Sequence, residues 1–198
     1  MNPDSRAIRI ARASLLRALR PLGRLSGLRV DGRERLPRSP EPLVIACNHA
    51  AFVDTFWLHL ALPEPPSVCG AKPRLYRNAP LRALLALADI RRVEGEAGFL
   101  ATAGSLLARG RTLLVYPEMG RNPDGPGPFQ PWLARLVLTH MVPVLPVYLW
   151  GTTTGESGPP LLVVGERRTP SGSPEACTAA LRADILALRD RARRLQCS

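Results

Sequence analysis

The residues of this chain that are best suited to chemistry form a block directly after a buried apolar run. Residues 48–54 read Asn-His-Ala-Ala-Phe-Val-Asp, so His49 and Asp54 lie five positions apart. On one continuous helix these side chains would diverge by about 140°, so they meet only if His49 precedes a helix and Asp54 lies in its first turn. The carboxylate then fixes the imidazole tautomer, and the other ring nitrogen can take a proton from a hydroxyl. The block therefore predicts a general base.

Nothing in the sequence supplies a protein nucleophile for this pair. There is no G-x-S-x-G segment to present a serine. Cys47 precedes Asn48 in the predicted strand, and its side chain is expected to point elsewhere. Taken alone, the spacing is also compatible with a histidine that merely satisfies its hydrogen bonds at a strand end.

Two further segments carry candidate residues. Residues 115–121 read Val-Tyr-Pro-Glu-Met-Gly-Arg, in which Arg121 can grip a phosphate in a fork and Glu118 can accept from hydroxyls. The alternative is a surface ion pair between these two residues, which contributes little. Residues 142–147 read Val-Pro-Val-Leu-Pro-Val, and prolines in a strand predict an edge or a bulge. We interpret this third segment as structural, or as the lining of an apolar groove.

In order and spacing, these three segments resemble the glycerolipid acyltransferase family, whose members include lysophosphatidate acyltransferases. The family's blocks read Asn-His-x-x-x-x-Asp, Phe-Pro-Glu-Gly-Thr-Arg and Val-Pro-Val-x-Pro-Val. The matching residues are Asn48, His49 and Asp54 in the first block, Pro117, Glu118 and Arg121 in the next, and residues 142–147 in the last. The resemblance covers roughly residues 28–165.

The resemblance implies transfer of a fatty acyl group from an acyl thioester, of coenzyme A or of acyl carrier protein, to a hydroxyl of a lysophospholipid-type acceptor. His49 would be the catalytic base and Asp54 the catalytic residue that orients it. The implied substrate-binding residues are Asn48, Arg92, Glu118, Gly120 and Arg121. No cofactor and no metal are expected.

Several positions depart from the family pattern. Tyr116 replaces Phe, Met119 replaces Gly, and Gly120 replaces Thr. A further family block usually ends in Arg-Gly, whereas here Glu94 precedes Gly, and Arg92 could substitute only if the strand register differs. These departures favour an alternative within the same chemistry, a specialised acyltransferase for a non-phosphorylated polyol, sugar or secondary-metabolite acceptor.

Charge is concentrated at the N-terminal end. The net charge is +11, and residues 1–38 carry ten Arg against three acids, or +7. An anionic partner is implied, and the candidates are an anionic membrane, an acidic carrier protein or nucleic acid. Aromatic residues are too sparse among the basic ones to suggest nucleic-acid stacking. A function of a different class remains open, a non-catalytic, basic membrane-binding module.

Residues 4–19 predict a basic amphipathic helix, which Pro3-Asp4-Ser5 would open. Its arginines fall within one arc of about 140° on a helical wheel. These arginines are Arg6, Arg9, Arg12, Arg17 and Arg20, and the opposite face carries Ile8, Ala11, Leu15 and Leu19. The helix either lies in an anionic membrane interface or packs its leucine face on its own domain.

The remaining chain alternates short apolar runs with helical patterns, which predicts an α/β fold. We expect a single domain over residues 28–198 with a central, mostly buried mixed sheet flanked by helices, preceded by the basic helical segment 1–27. The strands are predicted at 28–32, Leu43–Cys47, Ser67–Ala71, 90–93, 113–116, 144–149 and Leu161–Val164, and the helices at 54–62, 81–88, 98–109, 132–141 and 175–194.

The compartment can also be inferred. The four cysteines form no CxxC pair, so neither a zinc site nor a disulfide framework is supported. Arginines interrupt the early apolar residues, unlike a signal peptide, and no apolar run reaches the roughly 18 residues of a membrane span. We expect a cytoplasmic protein that is peripheral on the inner face of the membrane.

Overall fold

The fold is built on one seven-stranded mixed sheet in the order β1-β7-β6-β2-β5-β3-β4. The structure is a computed structural model and describes residues 6–63, 65–71 and 76–197. The strands are β1 (Arg29–Asp31), β2 (Leu43–Cys47), β3 (Ser67–Ala71), β4 (Ile90–Arg92), β5 (Thr112–Val115), β6 (Val144–Trp150) and β7 (Leu161–Val164). The helices are α1 (Arg6–Leu25), α2 (Asp54–Ala61), α3 (Ala79–Leu87), α4 (Gly95–Ala108), α5 (Trp132–His140) and α6 (Pro174–Cys197).

The central strands are buried on both faces, which explains why they read as continuous apolar runs. In β2, for example, Val44 and Ala46 belong to a core shared with α4, α5 and α6. Leu43, Ile45 and Cys47 belong to the opposite core, which includes residues of α2. The α/β fold and its mixed sheet are confirmed, since β2 to β6 run parallel while β7 pairs antiparallel with β6.

The two prolines near β6 do not mark an edge strand. Pro146 lies in β6 between β2 and β7, opposite Ala46. Its carbonyl accepts from the Gly165 N–H at 2.9 Å, so its nitrogen faces the same side, where regular β7 pairing has ended. A further bridge joins Val144 to Arg168. The segment after β7 has one residue more between Gly165 and Arg168 than β6 has between Val144 and Pro146, which makes a β-bulge. Of the two expectations, the edge was wrong and the bulge is present. Because the Pro146 nitrogen faces the bulge, the proline costs the sheet no hydrogen bond to β2.

Helix α1 packs against α2, but its inward face is not the one that the leucines predicted. Arg12 is 2% exposed and reaches Asp89 at 2.9 Å and the Ala86 carbonyl at 3.0 Å. Burial lowers the pKa of Arg12, and the Asp89 carboxylate opposes that effect. Arg20 donates to the carbonyls of Leu62 and Pro63, just beyond the end of α2. Two arginines of the basic arc therefore anchor the helix to its own domain.

The outward face of α1 carries apolar side chains instead. The exposed residues include Ile10, Leu15, Leu22 and Leu25, together with Arg17 and Arg24. The helix also continues past its predicted end, through Pro21 to Leu25. Its predicted start at residues 3–5 lies outside the described residues, as do the side chains of Arg6 and Arg9. Of the predicted leucine face, Ile8 and Leu19 are half-buried while Ala11 and Leu15 are exposed, so that face is packed only in part.

Candidate active site

The predicted pair of His49 and Asp54 is assembled at the carboxyl-terminal edge of the sheet. His49 lies in the turn after β2 and Asp54 is the first residue of α2. The Nδ1 atom of His49 lies 2.8 Å from Oδ2 of Asp54. The carboxylate is fully buried, whereas the imidazole is 18% exposed. Because a carboxylate only accepts, Nδ1 carries the proton and the lone pair of Nε2 is available to a substrate.

Asp54 is held rigidly by the turn that it closes. Its Oδ2 atom also accepts from the backbone N–H groups of Ala50 at 2.7 Å and Ala51 at 2.9 Å. Its other oxygen, Oδ1, is buried and has no hydrogen-bond partner in the described part of the chain. All three donated hydrogen bonds therefore converge on the oxygen that orients His49, and the two small alanines give the turn room to close.

Glu118 supports the same turn from the neighbouring strand end. Its Oε1 accepts from the His49 N–H at 2.8 Å, and its Oε2 accepts from the Gly127 N–H at 2.8 Å and the Asn122 amide at 2.6 Å. Burial raises the pKa of Glu118, although these three hydrogen bonds oppose that effect. The Asn122 N–H in turn donates to the His49 carbonyl at 2.7 Å. Glu118 thus ties the loop after β5 to the histidine.

The side-chain amide of Asn48 also forms its hydrogen bonds within the protein. Its Oδ1 accepts from the Leu149 N–H at 2.8 Å, and its Nδ2 donates to the Leu149 carbonyl at 3.1 Å. The side chain is buried, and its two hydrogen bonds link the end of β2 to β6. Cys47 is buried as well, and burial raises the pKa of its thiol well above the ordinary value. Such a thiol stays protonated, which removes it as a nucleophile.

Met119 stands where the family block has glycine. It adopts φ 53°, the left-handed region that glycine enters without strain. This chain therefore carries a side chain in a backbone conformation that favours glycine. That side chain packs against the core on the α4 side of the sheet.

The comparison with protein families identifies the family to which these blocks belong. The sequence model of the family described as Acyltransferase matches residues 27–150, a range that contains all three blocks. The chain belongs to the acyltransferase family. The resemblance stated from the blocks is thereby confirmed.

A solved structure shares the fold of this acyltransferase. It is the crystal structure of the 1-acyl-sn-glycerophosphate (LPA) acyltransferase PlsC from Thermotoga maritima, with a TM-score of 0.74 and 22% sequence identity. The similarity covers 94% of this chain and 83% of that chain. Among curated proteins, the comparison finds no match.

The candidate substrate-binding arginines of the acyltransferase differ in their surroundings. Arg121 is exposed and precedes Asn122, whose N–H reaches His49. Gly120 is half-buried in the same loop. Arg92 lies at the end of β4, the last strand of the sheet, where its guanidinium pairs with Glu94. The structure therefore places the loop that carries Arg121 against the His49 turn, whereas Arg92 lies three strands away from β2.

The other two histidines lie outside the site. His59 is buried, with ring nitrogens 2.6 Å from the Thr55 carbonyl and 3.1 Å from the Ala88 carbonyl, and burial lowers its pKa. His140 ends α5 and is exposed. Within residues 6–63, 65–71 and 76–197, no group of three or more His, Cys, Asp or Glu side chains could hold a metal ion. None of the helices in those ranges is long and apolar enough to span a membrane.

Proposed function

We propose that this acyltransferase moves a fatty acyl group from an acyl thioester, of coenzyme A or of acyl carrier protein, to a hydroxyl of a lysophospholipid-type acceptor. The observation that carries the proposal is the 2.8 Å contact between His49 Nδ1 and the buried Asp54 carboxylate. That contact supports a base whose Nε2 is directed at substrate, in a chain whose sequence has no serine elbow and whose cysteine beside the site, Cys47, is a buried thiol.

The chemistry follows from this arrangement. His49 Nε2 removes the proton of the acceptor hydroxyl as its oxygen attacks the thioester carbonyl. The resulting tetrahedral intermediate collapses, the carbon–sulfur bond breaks, and the thiolate takes the proton from the imidazolium. An ester and a free thiol are formed, and His49 is again neutral. Asp54 stabilises the imidazolium while it exists.

The binding residues divide into two roles in this proposal. Arg121, exposed beside the histidine turn, contacts a phosphate on the acceptor. Asn48 and Glu118 were expected to contact substrate, but their polar atoms are occupied by Leu149, His49, Asn122 and Gly127. We therefore assign Asn48 and Glu118 the positioning of the His49 turn and of the loop that carries Arg121.

One observation favours a second acceptor class. Glu94, which stands where the family pattern has Arg, forms an ion pair with Arg92. A guanidinium paired in this way is less available to a phosphate. A non-phosphorylated polyol, sugar or secondary-metabolite acceptor therefore remains the alternative.

The test of the proposed function is a product analysis. We expect purified protein to form an ester and release thiol only when an acyl thioester and an acceptor are both present, as measured by mass spectrometry and thiol titration. In a panel of acceptors matched with and without phosphate, we expect a kcat/KM at least about tenfold higher with lysophosphatidate. Preference for the non-phosphorylated members supports the second class, and vesicle binding without any thioester consumption supports the non-catalytic module.

Peripheral membrane binding is the other part of the proposal. The outward residues Ile10, Leu15 and Leu22 on α1, and Phe52 and Phe56 beside the histidine turn, are exposed apolar side chains. Apolar side chains on a surface that also presents arginines are typical of a helix lying at an anionic lipid interface. A lipid acceptor could then reach His49 without leaving the membrane surface.

Substitutions on the outward face of α1 test membrane binding. We expect the double variant Leu15→Asp, Leu22→Asp to bind anionic vesicles about tenfold more weakly in flotation, because it removes two partly exposed leucines and adds charge. Deleting the helix is a poorer test, because Arg12 is buried against Asp89. The control is Ala101→Asp, an exposed position on α4 across the sheet. Equal flotation of the wild type, the double variant and Ala101→Asp would contradict a membrane role for α1.

A further inference from the structure

Tyr116 lies flat against the imidazole of His49. The two ring centroids are 4.0 Å apart and the ring planes differ by 15°. Tyr116 follows the last residue of β5, and its side chain is buried in the core on the α2 side of the sheet. Asp54 holds the Nδ1 edge of the imidazole, so the histidine is restrained at one edge and over one face.

The tyrosine ring is itself fixed by Thr55. The Oγ1 atom of Thr55 lies 2.8 Å from the Tyr116 hydroxyl, and Thr55 directly follows Asp54 in α2. Burial raises the pKa of Tyr116 well above its ordinary value, so the ring stays a neutral phenol. One turn of α2 therefore supplies the carboxylate that orients the histidine and the hydroxyl that anchors the ring stacked on it.

An aromatic face has a physical preference between the two states of the base. Its quadrupole attracts a cation placed over the ring, and the attraction grows where water is excluded. His49 becomes a cation only when it has taken the acceptor proton. In the described part of the chain, the ionisable groups in contact with it include Asp54 at Nδ1, Glu118 at the backbone N–H and the phenol of Tyr116. Of these, the phenol is the group that covers a face of the imidazole.

We infer that Tyr116, anchored by Thr55, is a positioning residue for His49, which keeps the imidazole in the plane set by Asp54 and stabilises the cation formed during transfer. The inference rests on the proposed role of His49 as the base. The blocks alone do not indicate this residue pair, since Tyr116 only departs from Phe there and Thr55 lies outside them. The stacked geometry became visible only once β5 and the β2–α2 turn were side by side.

Three variants separate the contribution of the Tyr116 ring from that of the hydrogen bond that anchors it. They are Tyr116→Phe, Thr55→Val and Tyr116→Leu. Tyr116→Phe keeps the ring, so we expect kcat/KM to stay within about threefold of wild type, and Thr55→Val should match it. The double variant Tyr116→Phe, Thr55→Val should lose no more than either single one, because both remove the same hydrogen bond. Tyr116→Leu removes the ring, and kcat/KM should fall about tenfold.

The pH profile distinguishes this role from a structural one. Activity needs neutral His49, so it falls as the pH is lowered through the acidic limb of the kcat/KM profile. Without the ring the cation is less stabilised, and in Tyr116→Leu that limb should move to lower pH by about half a unit. The control Tyr148→Phe removes another buried phenol, one that donates to Glu156 at 2.6 Å, and should leave the limb unmoved.

Different results would overturn the proposed function and the inference about Tyr116. If His49→Ala retains acyl transfer, the proposed function fails. If His49→Ala is inactive but Tyr116→Leu keeps the wild-type limb and wild-type kcat/KM, only the inference about Tyr116 is overturned. Should Tyr116→Leu fail to fold, an additive loss in the double variant Tyr116→Phe, Thr55→Val overturns the role of Thr55 as the anchor.

Discussion

Replacing His49 by alanine is expected to lower acyl transfer by about 10³-fold, because the variant lacks the Nε2 atom that we propose takes the acceptor proton. The measurement is kcat/KM for thiol release in the presence of acyl thioester and acceptor. The fold should survive, since Asp54 keeps its hydrogen bonds from the Ala50 and Ala51 N–H groups. We expect the free energy of unfolding to fall by only about 1–3 kcal/mol, as measured by denaturant titration.

The matched control for this variant is His140→Ala. His140 is exposed at the end of α5 and lies outside the site, so its removal should leave kcat/KM near wild type. Thiol release within tenfold of wild type in a folded His49→Ala protein would reject His49 as the base, and with it the proposed mechanism.

Asp54→Asn is expected to lower kcat/KM by about 10²-fold, and Asp54→Ala by about 10³-fold. The asparagine can place its amide oxygen where Oδ2 accepts its three hydrogen bonds, and its NH₂ where Oδ1 has no partner in the described structure. The tautomer of His49 is then kept while the negative charge is lost. The alanine loses both, so the ratio between the two variants measures the part of the effect that is due to orientation.

The charge change itself is controlled by Asp184→Asn. Asp184 pairs with Arg168 on the far side of the molecule, at the surface, where such a pair contributes little. That variant should retain wild-type activity. If Asp54→Asn does the same, the negative charge is not needed to stabilise the imidazolium, and the role of residue 54 is confined to orienting His49 and closing the turn.

The fold could be predicted well from local pattern. Each central strand is buried on both faces, so its sequence is a largely apolar run, as in β2 and β5. The pairing of His49 with Asp54 was predictable for a related reason. The two residues are close in sequence and bracket a strand end and a helix start, so only one local geometry brings them together.

Contacts between distant segments could not be predicted in this way. Helical periodicity placed Arg12 and Arg20 with the other arginines on one outward basic face, but their partners lie 74 and 42 positions away, at Ala86 and Leu62. The prolines of residues 142–147 indicated an edge or a bulge, and the choice between them depended on how Gly165 and Arg168 return to β6.

The residue types and their order were thus enough to predict the α/β layering, the family and the pairing of His49 with Asp54, which we propose as the base and its carboxylate. What each neighbouring residue contacts was decided by the tertiary structure. Asn48 and Glu118 carry groups that could bind substrate, and Tyr116 carries none that signals a role. Whether a polar group faces substrate or backbone depends on what the neighbouring strands present to it, and that is set by packing between segments far apart in the chain.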